Sequence, residues 1–343
     1  MMPKESYALI LSALILTACG GGGGGSAPSV VKAAPHILLS PNSTGTWSSI
    51  VQSADYTLSA AAAPALKISA ANVRAVDAQT ASTTIITGAA YASDAALGQT
   101  IGITNALAGI TYWLGQTPGS PVVPATLKPN AVAPGLASVS LVAQATPTIA
   151  LVAEYAMPYS AALSPAGYAY QTFGYWATVD SSTLITSEYY FSTGIQADAA
   201  TLPVSGTATY TGHAYGTFVD TATSEPYDTS ATMNATADFA ALSVAFSTTG
   251  TTFRSWNAAT GTPAVAMPRL DMSGTLNYAA GSNTFTGTVT TANGMTGNAT
   301  GRFYGPGIAS ATATKVAGAP AEIGGTFAVT NVNGVMQGAF AGK

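Results

Sequence analysis

The sequence predicts an all-β protein, in which the C-terminal part of the chain forms an antiparallel β-barrel. Three observations favour this class. In the second half of the chain polar and apolar residues alternate with a period of two, turn residues separate the alternating segments, and helical periodicity is almost absent. Closure into a barrel is the usual way in which such a sheet removes its exposed edges.

The alternation is clearest between Thr207 and Val219. Up to residue 217 the odd positions carry threonine, histidine or tyrosine, whereas the even positions carry alanine, glycine or an aromatic residue. Because successive side chains of a strand point to opposite faces, this pattern predicts one polar face and one apolar face. We therefore expect a half-buried strand here.

A hairpin and a further strand follow the same rule. The turn is predicted at Ala280-Gly281-Ser282-Asn283. The apolar faces of its two strands are Met272, Gly274, Leu276 and Tyr278, and then Phe285, Gly287 and Val289. The further strand is marked by Leu242, Val244 and Phe246.

The C-terminal strands are predicted around a second turn signal, Asn333-Gly334. Phe327 and Val329 alternate with threonine and alanine before it. After it, one face of the last strand carries Met336, Gly338, Phe340 and Gly342. Glycines beside an aromatic ring relieve crowding on the concave side of a closing sheet.

The N-terminus predicts export and lipid attachment. An apolar run from Ala8 to Leu16, interrupted only by Ser12, is too short to span a bilayer and has the length of a signal-peptide core. The run ends in Leu16-Thr17-Ala18-Cys19, which contains the only cysteine of the chain and resembles the lipobox of bacterial lipoproteins. The resemblance implies acylation of Cys19. The alternative is an ordinary cleaved signal peptide followed by an incidental cysteine.

A glycine run from Gly20 to Gly25 follows, and polyglycine behaves as a flexible tether. By resemblance to the sorting rules of such lipoproteins, the absence of aspartate at position 20 favours the outer membrane. The segment between Pro118 and Pro134 is rich in proline, which suggests a domain boundary nearby. The predicted division is a signal peptide (1–18), a lipidated cysteine with its tether (19–26), a segment with only short strand patterns (27–150) and the barrel (151–343).

Composition narrows the function. The chain has a net charge of −4 with only 10 lysines and arginines, which argues against nucleic acid, whose affinity depends on phosphate neutralisation. With a single cysteine no internal disulfide forms. No Gly-x-Ser-x-Gly elbow, zinc-ligand cluster or calcium loop occurs. We therefore predict a protein that is not an enzyme and that has no catalytic residues, metal site or cofactor.

Several segments together resemble transferrin-binding protein B-like surface lipoproteins. These segments are Thr172-Phe173-Gly174-Tyr175-Trp176, residues 202–212 (LPVSGTATYTG), Phe303-Tyr304-Gly305-Pro306, residues 322–327 (EIGGTF) and residues 338–343 (GAFAGK). The resemblance covers roughly residues 151–343 and implies an antiparallel barrel of about eight strands. A smaller, handle-like β-rich N-terminal domain is implied as well, and it would have to come from residues 27–150. It also implies a surface protein that binds a protein or haem, as relatives bind transferrin, complement factor H or haemoglobin. Transferrin itself is not inherited, because fold does not carry ligand identity.

The candidate ligand contacts are Tyr189, Tyr190 and His213. Aromatic residues crowd positions 155–191, and tyrosine is favoured at binding surfaces, although the same rings are suited to core packing. His213 lies on the threonine-rich face of its predicted strand, either as a solvated histidine or as an axial haem ligand. Acidic residues at predicted strand ends, Asp180, Asp220, Glu225 and Asp228, are interpreted as solvated loop carboxylates.

The leading hypothesis is therefore an outer-membrane lipoprotein, anchored by its lipid and exposed at the surface, that binds an extracellular protein or haem. Possible partners are an outer-membrane receptor or a lipoprotein translocon. The alternative is a structural or adhesive surface lipoprotein without a small ligand.

Overall fold

The structure is a computed structural model that describes residues 44–59, 67–68, 74–86, 101–105, 110–114, 126–129, 137–140, 149–155, 168, 170–180, 185–259 and 261–343. Side chains are described at residues 168, 170, 171, 173, 174, 190–192, 194–259 and 261–343. Cys19, the glycine tether and the apolar run lie outside the described residues, so lipidation and export stay predictions. In the described part of the chain, no helix has both the length and the apolar character needed to cross a membrane.

Strands make up nearly all of the regular structure. In chain order they are β1 (Thr44–Ser59), β2 (Lys67–Ile68), β3 (Arg74–Ile86), β4 (Ile101–Asn105), β5 (Ile110–Leu114), β6 (Thr126–Pro129), β7 (Ala137–Ser140), β8 (Ile149–Tyr155), β9 (Gln171–Asp180), β10 (Ile185–Gly194), β11 (Thr207–Asp220), β12 (Pro226–Asp238), β13 (Ser243–Ser255), β14 (Val265–Ala266), β15 (Met272–Asn277), β16 (Thr284–Thr291), β17 (Thr296–Gly307), β18 (Pro320–Asn331) and β19 (Gly334–Gly342). Two single-turn 3-10 helices, Ala199–Thr201 and Pro268–Leu270, are the helical elements of the described residues. The all-β prediction is confirmed.

The C-terminal strands close into an antiparallel barrel. Its eight strands follow the order β12-β11-β19-β18-β17-β16-β15-β13, and β13 pairs with β12 to close the barrel. The short strand β14 lines the part of β13 that extends beyond β15. Each of these eight strands therefore has a partner on both sides, which is how a barrel protects the edges of its sheet.

The predicted strand faces are confirmed in the barrel. In β11 the even-numbered Ala208 and Tyr210 are fully buried, whereas Thr207 and Thr209 are exposed. The predicted hairpin is β15 and β16, and the predicted last strand is β19. Threonine suits the outer face because its β-branched side chain fits a pleated surface.

Aromatic rings fill one end of the barrel. The ring of Phe303 lies at the centre of this group, with its centroid 5.2 Å from that of Phe285, 5.4 Å from Tyr278 and 6.0 Å from Phe239. All four side chains are buried. The barrel interior is thus a packed core at this end.

A separate sheet precedes the barrel. Its order is β2-β1-β10-β9-β8-β7-β6, with β3 also paired to β1, and we call it the first sheet. The strands β4 and β5 form a small two-stranded sheet. The barrel therefore begins at Thr207 and not at residue 151, because β8, β9 and β10 pair with one another and with β1. The same pairing puts Thr172–Trp176 in the first sheet, although the resemblance implied an early barrel strand.

The first sheet packs on the outer wall of the barrel. Tyr168, Phe173 and Tyr190 on one side form a buried cluster with Tyr215, Ala339 and Ala341 on the other. Polar groups cross the same interface: the hydroxyls of Ser192 and Tyr304 lie 2.9 Å apart, and Gln171 Nε2 donates to Ile323 O at 2.8 Å. The linker after β10 also pairs with β17, since Ala197 N donates to Phe303 O at 3.0 Å.

Candidate functional site

The end of the barrel opposite the aromatic group carries most of the acidic residues that the sequence singled out. Its turns are residues 220–226, 256–271, 291–296 and 331–334, and we call this end the acidic mouth. Asp220, Glu225 and Asp228 meet here, because β11 ends where β12 begins. Asp180 instead ends β9 in the first sheet, and its side chain lies outside the described residues.

Adjacent turns of the acidic mouth are joined by hydrogen bonds. Thr221 Oγ1 donates to Val332 O at 2.6 Å, which joins the β11–β12 turn to the β18–β19 turn. Asn331 Nδ2 donates to Asn293 O at 3.2 Å, which continues the connection to the β16–β17 turn.

The connection then closes into a ring. Asn293 N donates to Arg269 O at 2.9 Å, and Arg269 Nη2 lies 3.7 Å from Asp220 Oδ2. Asp220 in addition accepts from Ala222 N at 2.8 Å and Thr223 N at 3.1 Å, and so holds its own turn. Four turns of the mouth are therefore linked in one closed circuit.

Glu225 connects the β11–β12 turn to the segment that follows β13. Its Oε2 accepts from the Tyr227 hydroxyl at 2.9 Å, and its Oε1 accepts from Ser255 Oγ and, at 3.4 Å, from Asn257 Nδ2. Partial burial, and then the hydrogen bond to Glu225, raise the pKa of Tyr227 to about 12. The phenol thus stays a donor at neutral pH.

Asp228 holds an aromatic residue on the outside of the wall. Its Oδ1 accepts from Trp256 Nε1 at 2.8 Å and from the Tyr215 hydroxyl at 3.4 Å. Asp228 is also paired in register with Arg254 of β13. The prediction of solvated loop carboxylates is therefore incomplete, because these carboxylates are acceptors for specific partners.

The hydrogen bonds of this arrangement hold the turns of the mouth together. The carboxylates are engaged by the turns that they join, and the described residues contain no group of three or more histidine, cysteine, aspartate or glutamate side chains placed to hold a metal ion. Above the joined turns, the side chains of Val332 and Arg269 project, with 88 % and 54 % of their respective surfaces exposed.

The predicted ligand contacts lie elsewhere. Tyr190 is 1 % exposed, and its hydroxyl lies 2.6 Å from Thr217 Oγ1 between the first sheet and the barrel. A ligand contact by Tyr190 would require the two sheets to part. The strand position of Tyr189 is described, paired with Ser53 and Trp176, but its side chain is not.

His213 lies on the outer wall, as its alternation predicted, in register with Thr232 and Ala341. It is half-buried, and this burial lowers the pKa of its imidazole. The ring is therefore largely neutral at pH 7, which is the form that ligates a metal. The structure does not bring His213 together with Tyr190, which lies beside Thr217.

Sequence reasoning missed three polar residues of the mouth: Arg269, Trp256 and Asn257. They lie in a segment that contains no alternation, so no strand pattern draws attention to it. The available signal was the combination of tryptophan and asparagine with nearby carboxylates, but the pairing partners are 28 and 32 residues away in sequence.

Comparison with known proteins gives fold neighbours at low identity. No protein-family model matches the chain, and no curated protein matches it. The apo crystal structure of the haemoglobin receptor HpuA from Kingella denitrificans is 14 % identical, with 89 % of this chain and 90 % of that one covered and a TM-score of 0.37. The isotype 1 transferrin-binding protein B from Neisseria meningitidis is 12 % identical, with 86 % and 43 % covered and a TM-score of 0.37. At these values the similarities carry no argument about the function of this chain.

Proposed function

We propose that this chain is a lipid-anchored outer-membrane protein that binds an extracellular protein through the acidic mouth of its barrel. The observation that supports this most is the closed circuit of turns that includes Asp220 and Arg269. Loops held in one conformation lose little entropy on binding, so a joined rim is suited to contact a partner. The role is non-enzymatic.

The filled barrel supports a binding site on the outside. Phe303 and its neighbouring rings occupy the interior at the end opposite the mouth, whereas Val332 and Arg269 are exposed on the mouth. Arginine is enriched among the residues that contribute most to protein interfaces. We therefore place the ligand contact on the turns of the acidic mouth.

The anchor is part of the proposal. Acylation at Cys19, with the glycines that follow as a tether, would hold the folded part near the outer membrane. An outer-membrane receptor or a lipoprotein translocon is the matching partner. Labelled palmitate followed by cell fractionation tests the anchor: Cys19→Ala should lose the label and leave the membrane fraction, and labelled, membrane-bound Cys19→Ala would contradict it.

Binding is tested with the mature chain against transferrin and haemoglobin, the ligands of the resembling family, in surface plasmon resonance. A double variant, Arg269→Ala with Val332→Ala, should weaken binding at least tenfold. Thr288→Ala, on the exposed outer wall of β16, is the matched control and should not change it. An equal loss of binding in the double variant and in Thr288→Ala would show that the contact lies away from the mouth. The absence of binding to both ligands would favour the adhesive alternative.

Haem is the second candidate ligand, and the half-buried imidazole of His213 is the observation that favours it. A titration with haemin should then give a saturable red-shifted Soret band that His213→Ala abolishes. A band retained in His213→Ala would remove His213 as the axial ligand.

A further inference from the structure

A small cavity lies inside the barrel near the acidic mouth. It has a volume of about 10 Å³, which corresponds to about one water molecule. Its apolar lining includes Leu270, Met272 and Met336, and its polar lining is Thr229, Ser230, Thr248 and Thr251. The four polar residues are buried. An organic ligand does not fit in this volume.

The wall beside the cavity is irregular. The pairing of β12 with β13 shifts between Ser230 and Thr232, where Gly250 and Thr251 of β13 lie opposite the single residue Ala231. Such a bulge disrupts the ladder locally, and the backbone N–H groups of Gly250 and Thr251 donate to the Asp271 carboxylate. A polar molecule in the cavity would lie next to this interruption.

Two hydroxyl groups that line the cavity can make complementary hydrogen bonds, one as a donor and the other as an acceptor. Thr248 Oγ1 accepts from Met272 N at 2.9 Å, so its own hydrogen is available for donation. Thr251 Oγ1 donates to Asp271 Oδ1 at 2.5 Å, so its oxygen lone pairs remain available as acceptors. A water molecule in the cavity would accept from the Thr248 hydroxyl and donate to the Thr251 hydroxyl.

We propose that this cavity is a hydration site, in which one buried water joins β12 and β13 through the threonine hydroxyls. Buried waters typically make about three hydrogen bonds to groups that would otherwise lack partners. Through Thr251 and Asp271 the water also supports the segment that carries Leu270 and Arg269 into the mouth. The site is independent of the proposed ligand and of the anchor.

The test combines a high-resolution crystal structure of the mature chain with a matched pair of variants. We expect one ordered water within hydrogen-bond distance of Thr248 Oγ1. Thr229→Val has nearly the same shape but lacks the hydroxyl, so it should lower Tm by about 2–4 °C. Thr229→Ser keeps the hydroxyl and should retain both the water and most of the stability.

Two results would overturn the site. One is a cavity without density at a resolution that shows other buried waters. The other is a Thr229→Val protein with a Tm equal to or above that of the parent, since an apolar replacement in a dry cavity removes only an unsatisfied group. If Thr229→Val fails to fold, the crystal structure of the Thr229→Ser protein decides between a hydrated and a dry cavity.

Discussion

Arg269 Nη2 lies 3.7 Å from Asp220 Oδ2 across the acidic mouth, where the ion pair joins the β11–β12 turn to the segment between β13 and β15. These two turns are neighbours in the barrel, because β12 pairs with β13. Glu225 joins the same two turns by accepting from Asn257 Nδ2 at 3.4 Å. The ion pair and the hydrogen bond to Glu225 therefore close the circuit of turns together.

The two partners of this ion pair should contribute unequally to stability. Arg269→Ala should lower the free energy of unfolding by less than about 1 kcal/mol, because its side chain is half-exposed and surface ion pairs are weak. Asp220→Ala should lower it by about 1–2 kcal/mol, because Ala222 N and Thr223 N also lose their acceptor. Urea denaturation of both variants measures the difference, and equal losses would show that the ion pair, not the turn, holds the mouth.

Two buried tyrosines that pack against Phe303 should respond differently when the hydroxyl is removed. The Tyr210 hydroxyl donates to Pro320 O at 3.0 Å, so Tyr210→Phe should lower the free energy of unfolding by about 1 kcal/mol. The Tyr278 hydroxyl has no hydrogen-bond partner among the described residues, so Tyr278→Phe should leave stability unchanged or raise it. Thermal unfolding of both variants tests the pair. A loss in Tyr278→Phe as large as that in Tyr210→Phe would contradict this account.

The barrel could be predicted from sequence because its strands bury only one face over most of their length. In β11, Thr207 and Thr209 face solvent while Ala208 and Tyr210 face the core, and alternation reports this directly. Further along the same strand Tyr215 and Thr217 are buried by the first sheet. The alternation of buried and exposed residues is therefore lost where the first sheet covers the outer wall of the barrel.

The boundary and the mouth could not be predicted in the same way. The period of a strand says nothing about which sheet it joins. The pairing of β9 with β8 and β10 is local, but the pairing of β10 with β1, which assigns these strands to the first sheet, joins segments that are distant in sequence. The contacts of the mouth are between turns, such as that of Asn331 with Asn293, and turn residues have no periodicity. Only the types of residue, not their partners, were available from the sequence.

Gly324 is a position at which the first sheet and the barrel approach closely. A Cβ atom added there would overlap Gln171 Oε1, and Gln171 is held by hydrogen bonds from its Nε2 to Ile323 O at 2.8 Å and Gly342 O at 3.3 Å. Gly324→Ala should therefore lower the free energy of unfolding by about 1–3 kcal/mol, as overpacked substitutions do. Thermal unfolding and protease sensitivity between the two sheets measure the effect.

A double-mutant cycle supplies the control for Gly324. Gln171→Ala removes the side chain that the new methyl group would meet, so Gly324→Ala should be less destabilising in that background. Additive losses would show that Gln171 is not the obstacle and that the backbone of the wall, or Ser192, is.

Lys315 gives the barrel a pH-dependent contribution in the alkaline range. Its Nζ donates to Ala321 O at 2.6 Å and lies 4.1 Å from the centre of the Tyr210 ring. Burial lowers the pKa of Lys315 to about 8, and the carboxylate of Glu322 opposes this change. Below that pKa the folded state carries a partly desolvated ammonium group, which is unfavourable relative to the unfolded chain.

Between about pH 8 and about pH 10.5 the folded protein has lost this proton while the unfolded chain keeps it, so the free energy of unfolding should rise with pH. Lys315→Met keeps most of the side-chain volume without the charge and should lack this increase. Urea unfolding of both proteins at about pH 7.5 and about pH 9.5 measures the change. Tyrosines of the unfolded chain begin to ionise near the higher pH, but both proteins contain the same phenols, so this contribution cancels in the comparison. We expect the parent to gain stability relative to Lys315→Met at the higher pH. The opposite change would mean that the attraction of the ammonium group to the Tyr210 ring outweighs its desolvation.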